Sequence, residues 1–170
     1  MRLTRRCSWG IALVAVALFT VSVVHIIAER MTRESPNYSK IEEGLWLGGY
    51  VPAPPPGSQA ILNLCEVEDP YHVESQRWEP IRDAEPAPSI DWLREQVGFI
   101  ETECAAGRVV YVHCRNGVSR SALVVTAYLM KRDNWSRDQT LDFIRVRRPE
   151  VRPNPAFMRL LLDWEKVLRE

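Results

Sequence analysis

Residues 111–121 constrain the fold of this chain more than any other stretch, because they place a cysteine and an arginine at the two ends of a short loop. Before the loop, residues 109–113 are apolar and rich in β-branched and aromatic side chains, which is typical of a buried strand. After it, residues 122–130 are apolar over a length that indicates a helix. The sequence therefore predicts a strand, a loop and a helix in succession.

This arrangement suits a bound dianion, because the loop N–H groups and the positive end of the helix dipole face the same spot. It also favours a thiolate, since a free cysteine titrates near pH ~8.5 but at about 3.5 to 7.5 beside helix N-termini or cations. We expect Cys114 to be largely ionised at neutral pH and to act as a nucleophile towards phosphorus. Arg120 presents a planar fork of donors that matches two phosphoryl oxygens, a geometry that lysine cannot reproduce.

The residues between this cysteine and arginine are expected to bind the phosphate mainly through their backbone. Gly117 suits a position that needs positive φ or close backbone approach. The hydroxyls of Ser119 and Ser121 can brace the loop or donate to the sulfur. The predicted phosphate-binding residues are Arg115, Asn116, Gly117, Val118, Ser119 and Arg120.

The segment His113-Cys-Arg-Asn-Gly-Val-Ser-Arg120 resembles the His-Cys-x5-Arg signature of the cysteine-dependent phosphatases, and in particular the dual-specificity phosphatase family. The resemblance implies that Cys114 is the nucleophile and Arg120 the phosphate clamp. It further implies that the Ser121 hydroxyl eases departure of the thiolate in the second step, and that His113 shapes the loop. It implies neither a metal nor another cofactor.

A carboxylate upstream of the loop is the predicted proton donor. Phosphoryl transfer from an alkoxide or phenoxide leaving group needs such a donor, and a carboxylic acid on a mobile loop can later act as base toward water. Asp83 lies roughly thirty residues before Cys114, in a setting that resembles the general-acid loop of the same family. Taken alone it would be a loop carboxylate like many others, and Glu85 is the second candidate.

Residues 9–28 carry no formal charge and are dominated by apolar side chains, and their number matches the ~20 residues needed to span a bilayer. We expect a single transmembrane helix there, between a basic leader at residues 1–8 and a linker at residues 29–39. The alternative is a cleaved signal peptide, but its apolar part is usually only about 7 to 15 residues long, and no small-x-small site precedes Glu29.

The charges of the chain bear on orientation and on partners. Three arginines precede the apolar segment and two follow it. This small difference favours an N-terminus on the cytoplasmic side only weakly, so both orientations stay open. Residues 34–170 contain 17 basic and 21 acidic side chains. A mildly acidic domain lacks the basic surface of a nucleic-acid-binding protein, so no nucleic-acid partner is expected.

The cysteines are Cys7, Cys65, Cys104 and Cys114. They show no paired CxxC spacing and no nearby histidine cluster, so neither a zinc site nor a disulfide framework is indicated. Cys65 ends a predicted buried strand and is most simply a core residue, although a resolving thiol for oxidised Cys114 is an alternative. Cys7 is expected to face solvent, with lipidation beside the membrane as the alternative.

Capping residues and apolar spacing predict the remaining elements. Extended segments are expected at residues 45–47, 60–65, 71–73, 78–82 and 109–113. Ser89, Ser136 and Asn154 are the predicted N-caps of helices over residues 90–104, from 137 to about 146, and from Pro155 to 168. The arginines of residues 145–152 are expected to form a solvated helix end.

With the family resemblance, these elements imply an α/β fold in which residues 40–170 form a phosphatase-like domain with a central mixed sheet of about five strands flanked by helices, plus an N-terminal transmembrane helix. We expect a membrane-anchored phosphatase that hydrolyses phosphotyrosine and phosphoserine or phosphothreonine in proteins through a phosphocysteine intermediate. A phosphoinositide or phospholipid phosphatase with the same chemistry is the alternative that a bilayer anchor favours. A non-catalytic module that recruits phosphorylated partners is another.

Overall fold

A computed structural model of the protein describes residues 36–170. The predicted leader, transmembrane helix and most of the predicted linker lie outside the described residues. Within residues 36–170, every helix is too short or too polar to cross a bilayer.

The centre of the described domain is a five-stranded mixed sheet, with strand order β1-β2-β5-β3-β4. The strands are β1 (Tyr38–Glu42), β2 (Leu45–Gly48), β3 (Ser58–Asn63), β4 (Ser75–Trp78) and β5 (Val109–His113). The middle strand, β5, runs parallel to β2 on one side and to β3 on the other, β4 is parallel to β3, and β1 is antiparallel to β2. The predicted mixed sheet of about five strands is thereby confirmed.

The first strand begins inside the segment that was predicted to be linker. Tyr38 pairs with Gly48 of β2, and its ring packs edge-on against Trp46 at a centroid distance of 5.5 Å. A tyrosine among polar residues carries no alternating pattern that would mark a strand. Its pairing depends on β2, which follows after a two-residue turn.

The fourth strand occupies Ser75–Trp78, whereas extended segments were predicted at residues 71–73 and 78–82. Its side chains alternate between partly buried and exposed, and three of the four are polar. The strand lies at the edge of the sheet and pairs with β3 alone. An edge strand with few apolar side chains gives little hydrophobic signal, which explains the displaced prediction.

Within the described residues, the sheet is accompanied by four helices: α1 (Ile90–Ala105), α2 (Arg120–Asp133), α3 (Arg137–Arg147) and α4 (Pro155–Arg169). All three predicted N-caps bond to the first turn of their helices, Ser89 to Trp92 N, Ser136 to Gln139 N and Asn154 to Phe157 N. Ser136 and Gln139 also form the predicted capping box. The predicted starts of these helices are confirmed.

Helix α2 is the buried helix of the domain, since residues 120–130 are all buried. It packs against α1, α3, α4 and β5, and Trp164 of α4 donates from Nε1 to the carbonyl of Ala127 at 3.0 Å. A helix that is buried on every side is fixed by packing along its whole length. Its first turn, which carries Arg120 and Ser121, is therefore held in place relative to the end of β5.

Candidate active site

The loop at residues 114–119 connects the carboxyl end of β5 to the first residue of α2. It therefore lies at the end of the middle strand, where ligands of α/β sheets usually bind. Cys114 begins the loop and is only 2% exposed. Its sulfur lies 3.3 Å from the backbone nitrogen of Gly117 and 3.4 Å from Ser121 Oγ.

These contacts favour the thiolate form of Cys114. Burial raises the pKa of the thiol, but hydrogen bonds from Ser121 and Gly117 and the charge of Arg120 outweigh burial and lower the pKa below its ordinary value. Ser121 has a single hydroxyl proton, and Gly48 O is a second possible acceptor at 3.2 Å. A thiolate can only accept, so with Cys114 ionised the contact between Ser121 Oγ and the sulfur requires the Ser121 proton to point at the sulfur.

In the guanidinium of Arg120, Nη1 has acceptors, whereas Nε has none among the described residues. Its Nη1 lies 3.3 Å from Leu64 O, 3.1 Å from Ile81 O and 2.8 Å from Glu66 Oε1. Its Nε is buried and has no hydrogen-bond partner among residues 36–170. A buried donor without an acceptor costs about 1–3 kcal/mol, which a phosphoryl oxygen at this position would offset.

Glu66 contributes to the site without having been predicted. One of its carboxylate oxygens lies 2.8 Å from Arg120 Nη1, and the other lies 3.6 Å from Arg115 Nη2. It follows β3, the parallel neighbour of β5, so the carboxyl ends of both strands meet at one edge of the sheet. That position after a buried strand is the signal by which the sequence could have identified Glu66.

The structure brings the predicted proton donor to the loop. Oδ1 of Asp83 accepts hydrogen bonds from Ser119 Oγ at 2.6 Å and from Asn154 Nδ2 at 2.8 Å. Glu85, the second candidate, is exposed and forms an ion pair with Arg159 at 2.6 Å. Of the two carboxylates, Asp83 is thus the one bonded to the loop itself, with its second oxygen available to carry a proton.

His113 is completely buried at the end of β5, and its Nε2 lies 3.1 Å from Asp69 Oδ1. Burial lowers the pKa of His113, but the hydrogen bond to Asp69 and the nearby Cys65 outweigh it and raise the pKa to about 9. The imidazole also stacks on Tyr111 at a centroid distance of 4.9 Å. The side chain thus fixes the segment between β3 and β4 to the strand that leads into the loop.

The residues of this site lie inside a stretch that matches a known family. Residues 58–167 match the sequence model described as the catalytic domain of dual specificity phosphatases. The chain belongs to the dual specificity phosphatase family. The family prediction made from residues 113–120 is confirmed by this match.

Curated relatives and solved structures agree with the family. The dual specificity phosphatase domain is 40% identical over 110 residues to protein phosphatase Slingshot homolog 3 of Rattus norvegicus, covering 64% of this chain and 17% of the relative. It is 40% identical over 90 residues to dual specificity protein phosphatase 16 of Homo sapiens, covering 53% of this chain and 14% of that relative. The chain thus spans less than a fifth of the length of these two relatives.

Among solved structures, a mouse putative dual specificity phosphatase complexed with zinc tungstate superposes with a TM-score of 0.74 at 24% identity. The superposition covers 81% of this chain and 91% of that one. At this identity the likeness shows the fold, and it agrees with the sheet and helices described above.

In this dual specificity phosphatase domain, the loop at residues 114–119 packs against a buried arginine. Arg148 is 2% exposed, so the expectation that the arginines of residues 145–152 form a solvated helix end is wrong for Arg148, although Arg147 and Arg152 are exposed. The Nε of Arg148 lies 2.7 Å from Gly117 O and its Nη2 lies 3.1 Å from Asn116 O. Neighbouring Arg147 instead lies over the Phe143 ring on the surface, and nothing in the sequence distinguishes these adjacent arginines.

The loop also touches the end of β2 backbone to backbone. Gly117 has φ of 69°, as its predicted need for positive φ requires. A Cβ at this position would lie 2.6 Å from Gly49 N and would also meet the carbonyl carbon of Gly48. A Cβ on Gly49 would lie 2.8 Å from Arg115 O. Gly49 and Gly117 therefore allow an approach that no side chain would permit, whereas a Cβ on Gly48 would instead meet Asn37 O and Tyr38.

Cys65 and Cys104 lie away from this loop contact. Cys65 is buried, and its sulfur lies 2.9 Å from Asn63 Oδ1 and 3.3 Å from Val67 O, which fits a core residue at the end of β3. Cys104 is partly buried near the end of α1, and burial raises the pKa of its thiol. Both are free thiols, and a resolving role for Cys65 stays a prediction.

Proposed function

We propose that this protein is a cysteine-dependent phosphatase that hydrolyses phosphate monoesters of proteins through a phosphocysteine intermediate. The observation that carries the proposal is the contact set around one loop. The Cys114 sulfur faces the Gly117 N–H and the Ser121 hydroxyl, while Asp83 is bonded to the same loop through Ser119.

In the first step, the Cys114 thiolate attacks phosphorus, the phosphorus–oxygen bond to the substrate breaks, and Asp83 gives its proton to the departing oxygen. Arg120 and the N–H groups of residues 115–119 stabilise the charge on the three equatorial oxygens. The loop amides are fixed before substrate binds, so they need little reorganisation in the transition state.

In the second step, a water molecule gives a proton to the Asp83 carboxylate and attacks the phosphocysteine. The sulfur–phosphorus bond breaks, inorganic phosphate forms and the thiolate is regenerated. A hydrogen bond from Ser121, 3.4 Å from the sulfur, stabilises the leaving thiolate.

Phosphotyrosine and phosphoserine or phosphothreonine in proteins are the proposed substrates. A cavity of about 210 Å³ beside the loop is lined by Tyr50, Cys65, Val67 and Arg115, and the first three offer apolar surface to a peptide side chain. Glu66 lies next to Arg115 at this edge and lowers the positive potential that a polyanionic lipid headgroup would need. These features favour a phosphoprotein over a phosphoinositide.

We further propose that residues 9–28 anchor the enzyme in a membrane as a single span. Their apolar length supports this, and the nine residues between residue 28 and Tyr38 would reach at most about 32 Å when extended. Substrates would then be limited to phosphoproteins near the bilayer. Alkaline extraction of membranes that contain the full chain tests the proposal, because recovery of the protein in the soluble fraction would reject the anchor.

Hydrolysis of an aryl phosphate by the full chain in detergent, with Cys114→Ser as the control, tests the enzymatic activity. Turnover that depends on Cys114 is the expected result, and its absence would reject the enzyme. A panel of phosphopeptides and phosphoinositides then tests the substrate class. Hydrolysis of phosphoinositides alone would reject protein substrates, and phosphopeptide binding without turnover would indicate a recruitment module.

A further inference from the structure

One peptide group of the catalytic loop is held at both ends. The peptide between Asn116 and Gly117 donates its N–H to the Cys114 sulfur at 3.3 Å and accepts at its carbonyl from Arg148 Nη2 at 3.1 Å. The C=O and N–H of a trans peptide point in opposite directions. The hydrogen bond from Arg148 to the carbonyl oxygen therefore orients the N–H toward the sulfur.

The guanidinium of Arg148 makes four hydrogen bonds and an ion pair. Its acceptors are Gly117 O for Nε, Asn116 O and Asn37 Oδ1 for Nη2, and Ser39 Oγ and Glu150 Oε1 for Nη1. The bond to Asn37 is 2.6 Å long, shorter than the other bonds that Arg148 makes. Asn37 thus shares Nη2 with the loop peptide.

The backbone and the amide nitrogen of Asn37 also lie against the end of β2. Its carbonyl accepts from Gly49 N at 2.7 Å, and its Nδ2 lies where a Cβ on Gly49 would stand. The same space is bordered by Arg115 O of the catalytic loop. The side chain therefore lies between the end of β2, the loop and Arg148.

We infer that Asn37 is a positioning residue for the catalytic loop: it orients Arg148, which in turn fixes the Asn116–Gly117 peptide that donates to Cys114. Asn37 directly precedes the first strand, so the segment that enters the domain takes part in shaping the active site. The inference deepens the proposed function and rests on it for the catalytic role of the sulfur.

Electrostatics connects Arg148 with the sulfur as well. Burial lowers the pKa of Arg148, and the nearby Glu150, Tyr111 and Cys114 act in the opposite direction. A buried cation beneath the loop favours a thiolate above it. Without Asn37, one N–H of Nη2 would lose its acceptor, and the guanidinium would reorient or admit water.

The test compares Asn37→Ala with Asn37→Asp, which keeps an oxygen acceptor in the same place, and with Lys40→Ala. Lys40 lies on β1, the strand that Asn37 directly precedes, and its side chain pairs with exposed Glu43. Alkylation of Cys114 by iodoacetamide is followed against pH in the full chain, with Cys114→Ser as the blank. This readout reports the thiol pKa and needs no turnover.

We expect Asn37→Ala to raise the pKa of Cys114 and to lower kcat on an aryl phosphate on the order of tenfold, the lower end of what a hydrogen bond to a charged group contributes. KM should change much less, since the substrate contacts remain. Asn37→Asp should recover most of the loss, and Lys40→Ala should match the wild type.

An unchanged alkylation profile in Asn37→Ala would overturn the inference, even if thermal stability fell. So would equal effects in Asn37→Ala and Lys40→Ala, or a failure of Asn37→Asp to recover. Failure of the proposed function is a separate outcome: a wild type without turnover would reject the phosphatase, while a shifted alkylation profile would still support the role of Asn37.

Discussion

The buried pair of His113 and Asp69 should make the stability of the domain depend on pH. The free imidazole titrates near 6.5, and the folded environment raises the pKa of His113 to about 9. A pKa raised by folding stabilises the protein fully below pH 6.5, and the stabilisation is lost as the pH rises through about 9. This difference between the two pKa values of His113 contributes roughly 3 kcal/mol to the free energy of unfolding as an upper limit.

Asp69→Asn is the perturbation that tests this reasoning, because it removes the charge and keeps the size of the side chain. We expect the variant to lose about 2–3 kcal/mol of unfolding free energy at pH 6, and much less at pH 10, where His113 is neutral in both proteins. Urea unfolding followed by circular dichroism at the two pH values measures both differences. Other groups titrate in both proteins and cancel in the comparison.

Glu68→Gln is the matched control, since Glu68 is the exposed neighbour of Asp69. It should change the unfolding free energy by less than about 0.5 kcal/mol at either pH. A cost of Asp69→Asn that is the same at pH 6 and pH 10 would show that His113 is neutral in the folded state, and the reasoning would be refuted.

Three further predictions concern the catalytic steps and the core. Asp83→Asn should lower kcat about 10²- to 10³-fold with phenyl phosphate but far less with a substrate whose leaving group is acidic enough to depart unprotonated, which a leaving-group series measures. Ser121→Ala should slow breakdown of the phosphocysteine, so a burst of released alcohol should precede a slower steady state in stopped-flow experiments. Trp164→Ala should destabilise the domain by about 3–5 kcal/mol in urea unfolding, because it empties a core position and removes the hydrogen bond from the indole to the carbonyl of Ala127.

The parts of the fold that local patterns specify could be predicted from the sequence. Val109–His113 is apolar and β-branched, and it is the middle strand. Ser136 and Asn154 cap their helices because their side chains reach N–H groups only three residues away. A contact that spans three residues can be inferred from spacing alone.

The cysteine and arginine of the loop could be predicted for the same reason, since both lie in one short segment whose spacing is specific. Their supporting residues could be predicted only in part, because Glu66 follows a buried strand and so carries a signal that Arg148 lacks. Glu66 and Arg148 lie 54 and 28 residues from Arg120 along the chain. They reach the loop only because parallel strands end at one edge and because α3 ends beneath it. No periodicity marks a residue whose role depends on such long-range packing.

The backbone contact between the loop and the end of β2 limits which substitutions the protein tolerates there. Gly48, Gly49 and Gly117 have no side chain that could touch a substrate, so a survey of sequence variants would grade changes at these positions as mild. An alanine at Gly49 or Gly117 would push the loop at residues 114–119 away from the end of β2, whereas an alanine at Gly48 would clash with Asn37 O and the Cα of Tyr38. Substitutions at these positions should therefore lower the activity or the stability of the protein, and libraries built to alter specificity should leave these three codons untouched.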